Sequence, residues 1–182
     1  YVVYNDVRGE DFVNITSNNI TAADVANYTV PGSSPSVIDL WARAYTTINQ
    51  ANLFIEGMQA KGTAVVGEAL AKNYIGEARL VRGLTYYSLL QLFANPFWMG
   101  EGTEPGLPLR LTGIKGPGQS DVARSTVGEV YAQVLADLDF AEANLPLSYS
   151  TAILNTTRAH RNTAIALKTR VYLSMRKDKE VI

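Results

Sequence analysis

The sequence predicts an all-α protein built from stacked helical hairpins of the tetratricopeptide-like kind. Apolar residues recur every three or four positions in four separate segments, which is the spacing of an α-helix and not of a strand. The four helices follow one another as two hairpins, and hairpins that repeat along a chain bury their apolar faces by stacking. An irregular N-terminal segment precedes the helices, and a long loop insertion interrupts them.

Residues 1–35 are the least helical part of the chain, and an irregular or extended segment is expected there. The opening Y-V-V-Y reads as a short strand. The tract 14–21 is rich in Asn, Ser and Thr, whose side chains compete with backbone hydrogen bonds and favour loops. The remainder, residues 36–182, is expected to be one tetratricopeptide-like helical region. Its helices are predicted near 36–60, 65–94, 126–145 and 160–176, with the Gly- and Pro-rich insertion at 96–122.

The first predicted helix carries an apolar stripe that includes Trp41 and Tyr45, so both rings are expected in the core. Gly57 and Gly62 are expected to mark its fraying end. The third helix begins with a capping box, since Thr126 is followed three residues later by Glu129. Pro146 ends it.

The second helix has the widest apolar surface and is expected to lie between neighbouring helices. One row of apolar or small residues contains Leu70, Tyr74, Ala78, Val81, Leu84, Ser88 and Leu92, and a second contains Ile75, Leu80, Gly83, Tyr87 and Leu90. Leu84 is therefore expected to be buried between two helices. Gly76, Ala78 and Gly83 thin the helix on one side. Close approach of another backbone would offset the roughly 1 kcal/mol that an interior glycine costs relative to alanine.

Composition excludes several classes of protein. The net charge of −1 provides no basic excess for binding nucleic acid. The chain has no cysteine, which excludes disulfides and thiolate metal sites. No apolar run approaches the ~20 residues that span a bilayer, and no signal peptide is visible.

Four blocks of the sequence resemble the SusD/RagB family. The strongest is G-E-A-R-L-V-R-G-L-T-Y-Y-S-L-L-Q-L-F at residues 76–93. The others, in the family's order, are W-A-R-A-Y-T-T-I-N-Q-A-N at 41–52, R-S-T-V-G-E-V-Y-A-Q-V-L-A-D-L-D-F-A-E-A-N-L-P at 124–146, and R-A-H-R-N-T-A-I-A-L-K-T-R-V-Y-L at 158–173. The resemblance covers essentially the whole chain.

The resemblance implies a nutrient-binding lipoprotein at the outer-membrane surface of a Gram-negative glycan uptake system. Such a protein binds an oligosaccharide without cleaving it and delivers it to a SusC-like, TonB-dependent transporter. Family members are much longer, so this chain is expected to be an N-terminal portion of a SusD-like domain that begins inside the mature protein. The lipidated cysteine would then lie upstream of Tyr1.

Residue patterns for catalysis, metals and cofactors are weak. His160 is the only histidine and is interpreted as a surface residue at a helix start. The G-I-K-G-P-G run at 113–118 lacks the Lys-Ser/Thr ending of a phosphate loop and is interpreted as a solvated turn. The carboxylate pairs Glu10–Asp11 and Glu101–Glu104 lie on loops, where solvation is the usual state. We expect no catalytic residue, metal site or cofactor.

Two loop regions are candidates for ligand binding. Sugar rings present apolar C–H faces with polar rims, so flat aromatic rings beside amides suit them. Phe97 and Trp98 lie beside Asn95 in the insertion, off any helical stripe, and anchoring of the insertion by these rings is an equally weighted alternative. By position in the family, the loop before the first signature helix is the second region. Its candidate residues are Asn14, Asn18, Asn19 and Tyr28.

A second function stays open from the sequence. A tetratricopeptide-type scaffold that binds a protein or peptide would also be all-α. The long upstream segment and the insertion favour nutrient binding, since plain scaffolds keep tight repeats.

Overall fold

The computed structural model describes Val25, Asn27, residues 29–118 and residues 121–181, apart from the side chain of Ser36. The chain divides into two compact units, Tyr1–Thr46 and Thr47–Ile182. In the first unit, Ser34 donates its amide to the Pro31 carbonyl at 2.8 Å in a turn just before the first described helix. Trp41 and Tyr45 contact one another with ring centroids 4.9 Å apart, and both are half-buried, where full burial was predicted.

The described residues are mostly helical, as predicted. The α-helices are α1 (Pro35–Gly57), α2 (Thr63–Val66), α3 (Glu68–Phe93), α4 (Val127–Asn144), α5 (Ala152–Thr157) and α6 (Arg161–Ser174). Two 3-10 turns lie at Phe97–Met99 and Asp178–Glu180. Two short strands, β1 (Pro105–Pro108) and β2 (Arg124–Thr126), pair antiparallel.

The first predicted helix ends later than expected. A π-helical turn, Met58–Gly62, joins α1 to α2, so the helical path continues through both glycines predicted to fray it. Gly57 and Gly62 keep right-handed helical backbone angles. The break comes at Gly67, whose φ of 83° lies in the left-handed region that favours glycine. This single residue connects the path to α3.

Helix α3 packs closely against α4 through its two interior glycines. A Cβ on Gly76 would lie 3.3 Å from the Leu145 side chain, and a Cβ on Gly83 would lie 3.4 Å from the Val134 carbonyl oxygen. The predicted close approach is therefore present at both glycines. Ala78 instead lines a groove of about 300 Å3 formed with Ala51 and Phe54 of α1.

The prediction for Leu84 is wrong. Leu84 is 39% exposed, and Leu70 and Val81 of the same row are exposed as well. The second row forms the core, with Ile75, Leu80, Tyr87 and Leu90 buried. The core-facing side also takes in Arg82 and Tyr86, both fully or nearly buried. Apolar periodicity alone could not tell which of two adjacent apolar rows faces the other helices.

The N-terminus of α4 is capped twice. The Thr126 side chain accepts from the Glu129 amide at 3.2 Å, and the Glu129 carboxylate accepts from the Thr126 amide at 2.7 Å, which is the predicted capping box. The amides of Val127 and Gly128 donate to carbonyls of the insertion, Glu104 and Gly102. The insertion is therefore fixed to the start of α4.

Strands β1 and β2 were not predicted. β1 contains two prolines, which are disfavoured within a strand. Side-chain hydrogen bonds from β2 therefore support the backbone pairing. Arg124 donates from its guanidinium to the carbonyls of Gly106 (2.7 Å) and Pro105 (3.0 Å). A Cβ on Gly106 would lie 2.8 Å from the backbone of Thr126, so only glycine permits this approach.

Helix α6 packs along α4 through Ala164 and Val171, which are buried. Lys168 lies between Asp139 (2.6 Å) and Glu142 (2.9 Å) of α4. The short α5 was not predicted. Thr151 caps it by accepting the Leu154 amide, and Asn155 bonds the backbone of Tyr149 in both directions. None of the described helices combines the length and hydropathy needed to cross a bilayer.

Alanine substitution at two leucines of α3 tests which row is the core. Leu80→Ala should lower the free energy of unfolding of this chain by about 2–5 kcal/mol, because Leu80 is 4% exposed and leaves a cavity. Leu84→Ala should cost about 1 kcal/mol, because the side chain already contacts solvent. Urea unfolding of both variants measures the difference. Equal losses would show that the Leu84 row is also packed.

Candidate functional site

The predicted binding residues fall into two sets. Asn14, Asn18, Asn19 and Tyr28 lie outside the described residues. Asn95, Phe97 and Trp98 lie together just after α3, and we call residues 95–99 the aromatic turn. Asn95 is exposed at its start.

Phe97 anchors the aromatic turn to the helices. Its ring meets the Tyr131 ring of α4 edge-on, with centroids 5.6 Å apart, and the Lys177 ammonium lies 5.6 Å from its centroid. The Phe97 carbonyl accepts from the Gly102 amide at 3.0 Å. These contacts are the ones that the anchoring alternative expects for Phe97.

Trp98 has a different environment. It is 48% exposed, and the Arg176 guanidinium lies 4.4 Å from its ring centroid. Arg176 follows α6 with a φ of 56°, a left-handed conformation that is uncommon for arginine. The turn thus presents a partly uncovered indole three residues after an exposed asparagine. Flat apolar surface together with hydrogen-bonding groups suits a sugar ring.

A second feature was missed by sequence reasoning: three side chains on one face of α1 hold the insertion by its backbone. Asn49 accepts from the Ile114 amide (2.6 Å) and donates to the Ile114 carbonyl (3.2 Å). Asn52 donates to the carbonyls of Arg110 (2.9 Å) and Thr112 (3.2 Å). Glu56 accepts from the Gly113 amide at 2.6 Å. We call Asn49, Asn52 and Glu56 the backbone clamp.

The spacing of the backbone clamp could have revealed it. Its residues lie three and four positions apart, so they share a helix face, and two of them are the asparagines of the I-N-Q-A-N block. Polar residues beside an apolar stripe need partners when they are buried. Gly113 and Ile114, the first residues of the predicted solvated turn, are half-buried against this clamp.

The backbone clamp rests on a buried ion pair. Arg82 of α3 donates to both carboxylate oxygens of Asp137 in α4, at 2.7 and 2.6 Å, and to the Asn52 side-chain oxygen at 2.6 Å. Arg82 is 4% and Asp137 0% exposed. The bidentate ion pair joins α3 to α4, and the bond to Asn52 connects it to α1 and, through the backbone clamp, to the insertion.

Tyr86 completes the support from α3. Its hydroxyl accepts from the Arg110 amide at 2.7 Å and lies 3.1 Å from the Arg110 carbonyl, to which it donates. Burial raises the pKa of Tyr86 to about 12, against the opposing effect of the Arg110 backbone hydrogen bond. The hydroxyl accordingly stays protonated and able to donate at neutral pH.

A cleft of about 410 Å3 opens beside the clamped segment. Its lining is Glu56 of α1, residues 109–115 and Val122. The Lys115 ammonium lies 3.1 Å from the Glu56 carboxylate. Hydrogen bonding to the Gly113 amide, and then the Lys115 ammonium, lower the pKa of Glu56. Elsewhere, no cluster of His, Asp and Glu among the described residues has the arrangement of a metal site.

Comparison with protein families identifies the kind of protein to which this chain is similar. The model of a SusD-like family, described as starch-binding and associating with the outer membrane, matches residues 3–173. A comparison with curated proteins gives no match.

Solved structures share the fold. A SusD superfamily protein from Bacteroides fragilis superposes with a TM-score of 0.87 at 32% identity, over 97% of this chain and 40% of that one. A SusD superfamily protein from Bacteroides thetaiotaomicron gives 0.78 at 25% identity, over 88% and 34%. A laminarin-binding SusD-like protein gives 0.81 at 22% identity, over 99% and 36%. The chain spans about a third to two fifths of these structures.

Substitution of Arg82 tests the buried ion pair. Arg82→Met should lower the free energy of unfolding by about 3–5 kcal/mol, because the buried Asp137 carboxylate loses its bidentate partner and keeps only the Gln133 hydrogen bond and the more distant Arg79. The double variant Arg82→Met/Asp137→Leu removes both charges and should recover a large part of that loss. Urea denaturation gives both values. A single variant no less stable than the double variant would contradict the network.

Hydrogen exchange tests the backbone clamp. Asn49→Ala should speed exchange of the Ile114 amide roughly five- to tenfold, as loss of one hydrogen bond predicts. Gln50→Ala, an exposed position one residue along α1, is the matched control. Amide exchange followed by NMR would count against the clamp if Ile114 exchanged equally in wild type and Asn49→Ala.

Proposed function

This chain belongs to the SusD-like family described as starch-binding and associating with the outer membrane, and from that membership we propose that it binds an oligosaccharide without cleaving it. The protein would work at the outer-membrane surface as a lipoprotein, with its lipid anchor upstream of this chain. It would pass the bound oligosaccharide to a SusC-like, TonB-dependent transporter. No cofactor is needed for binding of this kind.

We also propose how the chain is organised within such a protein. Residues 1–35 would form an irregular N-terminal segment, and residues 36–182 the tetratricopeptide-like helical region with its insertion at 96–122. Both would be parts of a longer SusD-like domain. Support comes from the solved relatives, of which this chain covers 34–40%.

The observation that carries the binding proposal is the exposed indole of Trp98. An aromatic ring that is half exposed leaves apolar surface in contact with water, and a ligand that covers this surface would gain free energy. The neighbouring ring, Phe97, already contacts α4 through Tyr131, and Trp98 stays 48% exposed even with Arg176 beside it. Loops on a rigid scaffold are where recognition usually lies. Asn95 and the 14–28 region would supply polar contacts to the sugar.

The ligand class follows from the family description and from one solved relative. Starch is named in the first, and laminarin in the name of the second. Both are neutral glucans, so malto- and laminari-oligosaccharides are the first probes. The alternative, a tetratricopeptide-type scaffold for a protein partner, would leave all such probes unbound.

Trp98→Ala in the full-length protein tests this proposal. Affinity for the oligosaccharide that wild type binds should fall about tenfold, the loss typical of removing a central aromatic contact. The melting temperature should change little, because the ring is half exposed. Isothermal titration calorimetry and a thermal scan provide the two readings.

Two neighbours serve as controls for that experiment. Met99→Ala removes another exposed apolar side chain of the same turn and should leave affinity unchanged. Phe97→Ala should lower the melting temperature by several degrees, since it loses the Tyr131 contact. A folded Trp98→Ala protein with wild-type affinity would exclude stacking on Trp98.

A further inference from the structure

The cleft beside residues 109–115 has a fixed wall. Seven hydrogen bonds from Asn49, Asn52, Glu56 and Tyr86 hold the backbone of four residues, Arg110, Thr112, Gly113 and Ile114. The segment is not paired as a strand, yet these bonds involve six of the backbone amides and carbonyls of residues 110–114. A binding surface held this way loses little conformational entropy when a ligand arrives.

The cleft offers a donor and an acceptor side by side. Glu56 uses Oε1 for the Gly113 amide and turns Oε2 towards Lys115, at 3.1 Å. Both partners remain accessible, with side-chain exposures of 33% for Glu56 and 73% for Lys115. Such an exposed ion pair contributes little stability of its own. Its groups are therefore available to a ligand at small cost.

Apolar side chains complete the lining. Leu111 and Val122 are 43% and 42% exposed, and both line the cleft. Apolar walls with a few placed polar groups are the usual composition of a small-molecule site, and a volume of about 410 Å3 lies within the usual size range. The space is large enough for one or two sugar units.

We propose that this cleft is a second saccharide subsite, separate from Trp98, which binds a neutral sugar unit through two adjacent hydroxyl groups. One hydroxyl donates to the Glu56 carboxylate and the other accepts from the Lys115 ammonium. Leu111 and Val122 contact the C–H surface of the ring. The inference rests on the proposed oligosaccharide-binding function and specifies a neutral ligand for it.

The charges of the cleft favour a neutral ligand. An anion at Lys115 would come close to the Glu56 carboxylate, and a cation at Glu56 would come close to Lys115. A hydroxyl pair satisfies both groups without separating them. Lys115 and Arg110 both belong to the residues that line the cleft, so an acidic sugar is the alternative that the experiment must exclude.

Calorimetric titration of the full-length protein tests the subsite. The probes are malto- and laminari-oligosaccharides of two and of six units, with an oligogalacturonate as the acidic probe. Lys115→Met removes the donor, Glu56→Gln keeps an acceptor for the Gly113 amide but removes the charge, and Val122→Trp fills the cleft. The matched control is Glu68→Gln/Lys72→Met, which removes another exposed ion pair.

Lys115→Met and Glu56→Gln should each weaken binding of the six-unit neutral probe about tenfold, as loss of a hydrogen bond to a charged group predicts. Val122→Trp should weaken it at least as much, because the larger side chain occupies the space of the sugar. The control variant should bind like wild type, and affinity should be nearly independent of salt. Wild-type affinity in folded Lys115→Met and Glu56→Gln proteins would overturn the subsite. Tighter binding of oligogalacturonate with steep salt dependence would overturn the assignment to a neutral sugar.

The outcomes also separate this inference from the proposed function. If Trp98→Ala weakens binding and the cleft variants do not, the second subsite is overturned and the proposed function stands. If no probe binds the wild-type protein, the proposed function and the second subsite are both overturned. Circular dichroism and a thermal scan establish that each variant is folded, and Lys115→Met, at an exposed position, provides the reading least affected by packing.

Discussion

The buried ion pair between Arg82 and Asp137 is the interaction on which the rest of the second unit depends. A guanidinium and a carboxylate removed from water are stable only when their hydrogen bonds are satisfied by partners of good geometry. Here Arg82 meets both oxygens of Asp137 and also Asn52, and Gln133 donates to the same carboxylate at 3.1 Å. Helices α1, α3 and α4 must therefore keep one relative position, because any other arrangement would leave a charge without its partner.

The insertion is held in place by the same network. Asn52 accepts from Arg82 and donates to two carbonyls of the 110–112 segment, so it links the ion pair directly to the loop. Asn49 and Glu56, one helical turn to either side, bind the next amides along. A helix face thus supplies the hydrogen bonds that a neighbouring strand would otherwise supply. A segment rich in Gly and Pro gains a defined conformation with almost no secondary structure of its own.

The two candidate binding surfaces are built in the same way, by loops that buried contacts hold against a helix. The aromatic turn is held by Phe97 against α4, and the cleft is held by the backbone clamp of α1. In each case buried contacts position the loop, and exposed side chains are left to meet a ligand. The aromatic turn offers the flat apolar face of Trp98 and the exposed amide of Asn95, and the cleft offers Glu56 as an acceptor and Lys115 as a donor. An oligosaccharide binder of the SusD-like family needs both kinds of group, because a sugar has both kinds of surface.

The sequence by itself determined the four long helical segments, the capping box at Thr126 and the close approach at Gly76 and Gly83, because these features depend on local spacing or on the absence of a side chain. It also indicated the family, through four blocks of sequence that overlap these helices. Tertiary structure alone decided which apolar row of α3 faces inward, since Leu80 and Leu84 are equally apolar and differ only in what lies opposite. The pairing of β1 with β2 and the binding of residues 110–114 by Asn49, Asn52 and Glu56 were likewise decided there. The residues that meet lie 16 to 65 positions apart in the chain, and a periodicity shows which face of a helix a residue occupies but not which distant backbone it contacts.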